Sequence, residues 1–424
     1  MRARLNRLIV TGVGAGALIV ASCQAPSGPD NATQAAAAPG EAHCVTNITK
    51  VIADGSIPAK ATPLPPDLAA KLDAAVRSAL PQTAAPGVIV GVVTPAGTWK
   101  AAYGIADPSA HTPMAVGMHT RIGSVTKTFT GTAIMQLAEA GKLSLDDKIQ
   151  KYVPGIPNGD RITLRQLANM TSGLASYTQS DKFQRVLFSK PATIWTPKEL
   201  VAIGVAESPL YEPGASFNYS NTNTVLLGIV IEKVTGKPVG QVFKEQIFDP
   251  LKLQNTSWPG DSVEMPTPFA QGFTLQGDFA KPDAPSNATH WNPSWGWTAG
   301  ELISDIDDLL IYARALGTGH GLLGAAAQTE RLTFHGPGGY GIGAGCSDGW
   351  FGHTGELPGY NTTLYYKTGA DIAVVVQTNS DIASGDCKEQ PTLTDDPRDT
   401  ICSSPAKRVF VAVSNALDHP FTGP

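Results

Sequence analysis

The chain has 424 residues, 42% of them hydrophobic and 16% charged, which is enough apolar mass for one large core or two moderate ones and excludes a disordered, collagen-like or coiled-coil chain. The formal net charge is −5, and removing the segment before Cys23 takes Arg2, Arg4 and Arg7 with it, leaving 28 basic against 36 acidic residues, a charge of −8. No nucleic acid partner is expected from such a balance, and 44 Gly with 33 Pro point to many turns and long ordered loops around a site built from several segments.

The chain opens as an address. Arg2, Arg4 and Arg7 form a positive n-region, and Leu8 to Ala21 is an apolar stretch too short and too interrupted by Gly to span a bilayer stably. Val20-Ala21-Ser22-Cys23 resembles the lipobox of bacterial lipoproteins. That resemblance implies a signal peptide over 1–22, lipidation of the Cys23 sulfur and a protein exported to the outer face of the cell membrane. Gln24 to Ala42 is rich in Ala, Pro, Gly and Ser and reads as a tether, extended here to 23–59. Beyond Cys23 remain Cys44, Cys346, Cys387 and Cys402, an even number that in an oxidising compartment predicts two disulfides. Four cysteines allow three pairings; Cys387 with Cys402 across a short loop and Cys44 with Cys346 is the preferred one. With no Cys-X-X-Cys and no His-Glu-X-X-His, zinc has no support, and neither a metal nor an organic cofactor is expected.

In chain order, Pro66 to Leu80 carries apolar residues at helical spacing after a Pro-Pro-Asp start. Val88 to Val93 and Thr98 to Tyr103 flank the turn signal Thr94-Pro-Ala-Gly97 and predict a hairpin. Ser124 to Gly141 reads as one helix with Phe129, Ala133, Ile134 and Leu137 on its apolar stripe and Gly141 as its stop. Short helices joined by Pro- and Gly-bearing loops follow to about Asn287, with a clear helix from Asn223 to Val234. Strands return at Thr362 to Tyr366 and Ile372 to Gln377, and Pro405 to Leu417 closes the chain as a helix. Strands at both ends with helices between predict a sheet lobe interrupted by a helical insertion.

The candidate chemistry starts at Ser124-Val125-Thr126-Lys127. A serine hydroxyl needs a base to take its proton, and a lysine three residues on brings its amine to the same helix face. The spelling is cheap, arising on the order of once by chance in such a chain, and Ser404-Pro405-Ala406-Lys407 is a second copy. Ser124 opens a helix, where the N-terminal dipole favours a developing alkoxide, whereas Ser404 lies beside a cysteine near the C-terminus. Tyr219-Ser220-Asn221 follows a Pro-Gly turn and precedes a helix, so a phenol able to act as base and an amide able to hold a carbonyl project together. His353-Thr354-Gly355 suits a strand edge against which a substrate backbone lies.

In that order the three motifs resemble the active-site set of the penicillin-recognising serine hydrolases. The Tyr-X-Asn element is similar to that of class C β-lactamases, and the His in the third motif to a group of serine D-alanyl-D-alanine carboxypeptidases. The likeness runs from about Pro66 to the end and takes in Arg121-Ile122-Gly123-Ser124, Thr171-Ser172-Gly173-Leu174, Tyr211-Glu212-Pro213-Gly214 and Ile231-Glu232-Lys233-Val234-Thr235-Gly236. It implies a β-lactamase/transpeptidase-like α/β fold: an antiparallel-sheet lobe from both chain ends (60–140 and 291–424), an all-helical lobe inserted over 141–290, and the site at their interface. By the same resemblance Ser124 is the acylated nucleophile, Lys127 assists its deprotonation and Tyr219 shuttles protons. Asn221 binds the scissile-side amide, His353, Thr354 and Gly355 line the strand edge, and Trp295 forms a cleft wall. The oxyanion hole is then made of the backbone N–H groups of Ser124 and Glu356.

Lys367-Thr368-Gly369 spells the commoner form of the third motif, but it falls between two strand runs and reads as their hairpin turn. The carboxypeptidase group carries an Arg shortly before the third motif to receive the peptide carboxylate, and Ala344 to Phe351 holds no basic residue. Arg314 and Arg331 are the candidates to replace it, while Glu356 places an acid beside the motif that disfavours an anion or receives an amine. The leading expectation is a D-alanyl-D-alanine carboxypeptidase-like enzyme. A β-lactamase or esterase of the same mechanism is the alternative on small peptide, β-lactam or ester substrates, and a non-catalytic cell-envelope binding lipoprotein is a third reading. No Gly-X-Ser-X-Gly elbow is present.

Overall fold

A computed structural model describes residues 44–57, 59–388, 390–396 and 400–423; the expected signal peptide, Cys23 and the expected tether up to residue 43 lie outside them. Seven strands form an antiparallel sheet: β1 (Gly87–Thr94), β2 (Gly97–Asp107), β3 (Thr112–Pro113), β4 (Gly345–Ser347), β5 (Trp350–Leu357), β6 (Tyr360–Lys367) and β7 (Ile372–Thr378). Their order is β3-β2-β1-β7-β6-β5-β4, so the first and last strands of the chain meet at the β1–β7 seam. Every residue of β1 and β7 is buried, which is why both read as unbroken apolar runs.

Successive side chains feed opposite faces. Val88, Val90 and Val92 pack with Trp350, Tyr365, Val374 and Val376 under helices α1 (Pro66–Ala79) and α5 (Pro405–Ala416). Ile89 and Val93 join Phe351, Leu364, Tyr366 and Val375 beneath α4 (Ile306–Thr318). Gly91 admits that helix, since a Cβ there would lie 2.6 Å from Leu310 Cδ1. The same cluster continues through α2 (Thr126–Glu139) to α3 (Asn221–Thr235) and the short helices around it.

Both disulfides are formed in the preferred pairing, Cys44 with Cys346 and Cys387 with Cys402. The expected limit of the tether at 59, however, falls beyond an ordered segment. Ile48–Asp54 is a helix with Asn47 accepting from the Lys50 N–H at its start, Val51 buried in the main cluster, and Cys44 bonded to β4 just before it. Covalent attachment and burial of one apolar face order a segment too short to show a period.

Candidate active site

From Arg121 to Thr130 every residue is buried except Ser124. The expected single helix from Ser124 is in fact split: Gly123–Val125 is a 3-10 turn and α2 begins at Thr126. The cause is Gly123, whose φ of +53° turns the chain and whose missing Cβ would stand 2.6 Å from the Glu356 nitrogen. Behind the turn, Arg121 is anchored by the carbonyls of Val263 and Thr289, and Thr120–Arg121 pairs with Ile303–Ser304. The Trp295–Gly300 loop is thereby brought beside Ser124.

Lys127, only 1% exposed, points its Nζ at Ser124 Oγ (2.8 Å) and donates to the Ala299 carbonyl (2.7 Å). The same Nζ lies 4.9 Å from the centroid of the Tyr219 ring. Tyr219 is held there by the loop ahead of α3, where the Asn218 N–H donates to Met170 O and Ser220 Oγ donates to Ala175 O. The Thr171-Ser172-Gly173 and Tyr211-Glu212-Pro213-Gly214 fragments build that loop's floor. The Gly214 N–H donates to Thr171 O, the Leu210 N–H to Gly173 O, and Ser172 Oγ to Asn223 Oδ1. Asn221 opens α3, its Nδ2 donating to Thr178 Oγ1 (3.0 Å) and its backbone N–H to Ser176 Oγ (3.0 Å), which orients the amide.

The third motif lies on β5. β4 pairs only with Trp350 to Gly352, so among the described residues no strand pairs with that edge of β5 from His353 onward, and it meets the Ser124 turn instead. Gly355 makes the approach feasible, because a Cβ on it would fall inside the van der Waals shell of the Ile122 carbonyl oxygen and 3.2 Å from the Ser124 nitrogen. The segments that carry the Ser124 and Glu356 backbone nitrogens thus meet at Gly123 and Gly355, bringing together two N–H donors of the kind an oxyanion hole needs. Thr354 is partly exposed on this edge. His353 is buried, with Nε2 2.8 Å from Tyr340 Oη and 3.5 Å from Tyr219 Oη. Burial, aided by the Lys127 charge, pulls its imidazole down to about 3, so it is neutral at pH 7 and carries no charge for an anion. Trp295 is partly exposed, packing against the Leu357 and Tyr360 cluster, and its carbonyl accepts from Tyr177 Oη (2.6 Å).

Other sequence candidates lie elsewhere. Arg314 is paired with Asp371 (2.8 Å), and Arg331 is fully buried with its Nη2 donating to Thr132 Oγ1, so neither replaces the missing arginine. Lys367-Thr368-Gly369 is the β6–β7 turn, with Lys367 bonded to the Asp348 carbonyl and Thr368 to that of Gly349. Ser404 stands just before α5, on the other face of the sheet, and makes no side-chain cap to it. The Glu356 carboxyl is partly buried, and burial with the nearby Asp381 raises it to about 8, which works against the anionic form expected of an acid there. Sequence reasoning missed the Ala299 carbonyl, Ser176, Thr178 and Tyr340. Tyr340 alone left a signal, as the aromatic heading the Tyr340-Gly341-Ile342-Gly343 run.

The beta-lactamase family pattern matches residues 72–395, well over half the chain. The chain belongs to the beta-lactamase family. Within this family of penicillin-recognising serine hydrolases, similar solved structures include a D-stereospecific amidohydrolase from Streptomyces sp. It is 35% identical with a TM-score of 0.66, over 74% of this chain and 94% of that one. A D-amino acid amidase from Ochrobactrum anthropi SV3, complexed with L-phenylalanine amide, is 25% identical with a TM-score of 0.68, over 83% and 99%. PbpX of Bacillus subtilis (strain 168) is 26% identical over 260 residues, 61% of each chain, so this beta-lactamase family member spans about three fifths of that curated relative.

Proposed function

We propose that the protein hydrolyses small amides or peptides whose acyl part is a D-configured residue, through an acyl-enzyme on Ser124. The observation that carries this reading is the contact of Lys127 Nζ with Ser124 Oγ beside the Tyr219 ring. Ser124 Oγ attacks the carbonyl carbon, and its proton passes by way of Lys127 and Tyr219 to the leaving amine. The carbonyl oxygen becomes the oxyanion between the Ser124 and Glu356 N–H groups, and water then releases the acid by the reverse proton path. Asn221 receives the amide of the acyl part, the edge at His353, Thr354 and Gly355 aligns its backbone, and Trp295 walls the cleft.

Amide is favoured over peptide carboxylate as the leaving side. No basic side chain stands in 344–351, Arg314 and Arg331 are engaged elsewhere, and His353 is neutral. Likeness to the D-stereospecific amidohydrolase and the D-amino acid amidase points the same way. The test is to offer purified protein a D-amino acid amide, a D-alanyl-D-alanine peptide, a fluorescent penicillin and an activated ester, with Ser124→Ala in parallel. Turnover of the amide, and ester acylation lost in Ser124→Ala, are the expected results. Preference for the free-carboxylate peptide would restore the carboxypeptidase reading, rapid penicillin turnover a β-lactamase. Acylation by none of them would favour a binding lipoprotein.

We further propose export and lipid anchoring at Cys23, supported by the Arg-rich start, the Val-Ala-Ser-Cys spelling and two disulfides that suit an oxidising compartment. Among the described residues no helix is long and apolar enough to cross a membrane. Cys23→Ala should move the protein from the membrane to the soluble fraction after cell disruption; unchanged fractionation would refute the anchor.

A further inference from the structure

His353 stands between two phenols. Its Nδ1 faces the Thr354 carbonyl oxygen, which can only accept, so the ring proton sits on Nδ1 and Nε2 offers a single lone pair. Two hydroxyls approach that lone pair: Tyr340 at 2.8 Å and Tyr219 at 3.5 Å. The first is an ordinary hydrogen bond and the second lies at the outer limit of one. Tyr340 is buried, and its phenol is held well above the usual value by burial, with Tyr365 adding to the effect, so it stays a donor. Its ring stands edge-on to His353 (5.6 Å, 90°) and to Tyr219 (6.1 Å, 85°). Its backbone is bridged to Gly345, beside the Cys44–Cys346 disulfide.

We propose that Tyr340 is a positioning residue that occupies the His353 Nε2 lone pair and so keeps the hydrogen bond between that imidazole and Tyr219 long and weak, while the Tyr219 ring stays beside Lys127. The inference rests on the proton-carrying role of Tyr219 proposed above. Among the groups facing Tyr219 are Lys127 from α2, His353 from β5 and Tyr340 from the segment before β4. Of these, Lys127 favours the phenolate by its charge, whereas a hydrogen bond donated to a neutral imidazole favours the phenol. Tyr340 therefore weakens a contact that would hold the proton on Tyr219.

Tyr340→Phe keeps the ring and deletes the donor, leaving Tyr219 as the nearest hydroxyl for Nε2. The acid limb of kcat/KM for an activated ester is expected to move up by about one pH unit, with about a tenfold loss near neutrality that recovers at alkaline pH. Imidazole ¹⁵N NMR of the wild type should report an Nδ1–H tautomer with Nε2 hydrogen-bonded. That Nε2 bond should persist in Tyr340→Phe, with Tyr219 as donor, and vanish only in the Tyr340→Phe/Tyr219→Phe double variant. A loss uniform at every pH, with the limb unmoved, would reduce Tyr340 to packing and overturn the proposal, as would an Nε2–H tautomer in the wild type. Failure of the wild type to acylate Ser124 would instead sink the hydrolase reading, while the NMR result would still decide the Tyr340 contact.

Discussion

Ser124 and Ser404 each stand three residues before a lysine, and Gly355 and Gly369 each close an X-Thr-Gly triplet. Ser124 is the one open residue in a buried stretch, with Lys127 sealed beneath it and the β5 edge across from it. Ser404 stands just before an outer helix on the opposite face of the sheet, and Lys407 is only partly buried. Gly355 lies against the Ile122 carbonyl, whereas nothing lies within 4 Å of where a Cβ on Gly369 would be. The same letters supply the same groups in both places. Desolvation of the amine and close approach of two backbones, which give those groups their chemistry, come from packing and occur at one place only.

The strongest way to break this contrast is Ser124→Ala against Ser404→Ala. The first should cut ester acylation by about 10³-fold or more, and the second should leave it within about twofold, measured by the same burst assay. Next, Tyr219→Phe, which removes only a hydroxyl, should cost about 10²- to 10⁴-fold in kcat if that phenol carries protons; a wild-type rate would remove it from the mechanism. The paired glycines come third. Gly355→Ala should push β5 off the Ser124 turn, lowering kcat/KM by about 10²-fold and stability by about 1–3 kcal/mol, while Gly369→Ala should change neither in kinetics or urea melts.

The smallest effect concerns Glu356, which the edge buries as it brings its N–H to the site. An unfolded glutamate titrates near about 4.3, so with the folded carboxyl at about 8 the folded state keeps a proton the unfolded chain has lost. Its contribution favours folding below the unfolded value and is progressively lost as pH rises toward about 8. Glu356→Gln should melt like the wild type at acid pH and above it at mildly alkaline pH; parallel melting curves across that range would show the carboxyl to be solvated.

Much of the fold was legible because burial repeats with a period. Val88 to Val93 and Ile372 to Gln377 are strands since both sheet faces are covered, and Asn223 to Val234 lies within the observed Asn221–Thr235 helix. The Ile48–Asp54 helix was not legible, because seven residues hold too little pattern and a disulfide to a residue 302 positions away fixes them. In the candidate site, the spelling and order of the motifs named Ser124, Lys127 and Tyr219, which the fold brings together. The Ala299 carbonyl was not legible, since a backbone acceptor has no letter, and Tyr340 left only the aromatic of its Tyr-Gly-Ile-Gly run, which gains meaning when the chain folds back onto His353.

Sequence by itself therefore determined which reactive groups the chain carries, where its periodic strands and helices lie, and which cysteines are available to pair. Tertiary structure alone decided which of the duplicated motifs is embedded, that Arg314 and Arg331 serve elsewhere, and that His353 is neutral. The physical reason is that side-chain identity and periodicity are local, whereas dielectric surroundings, hydrogen-bond partners and the clearance between two backbones depend on segments brought together from far along the chain.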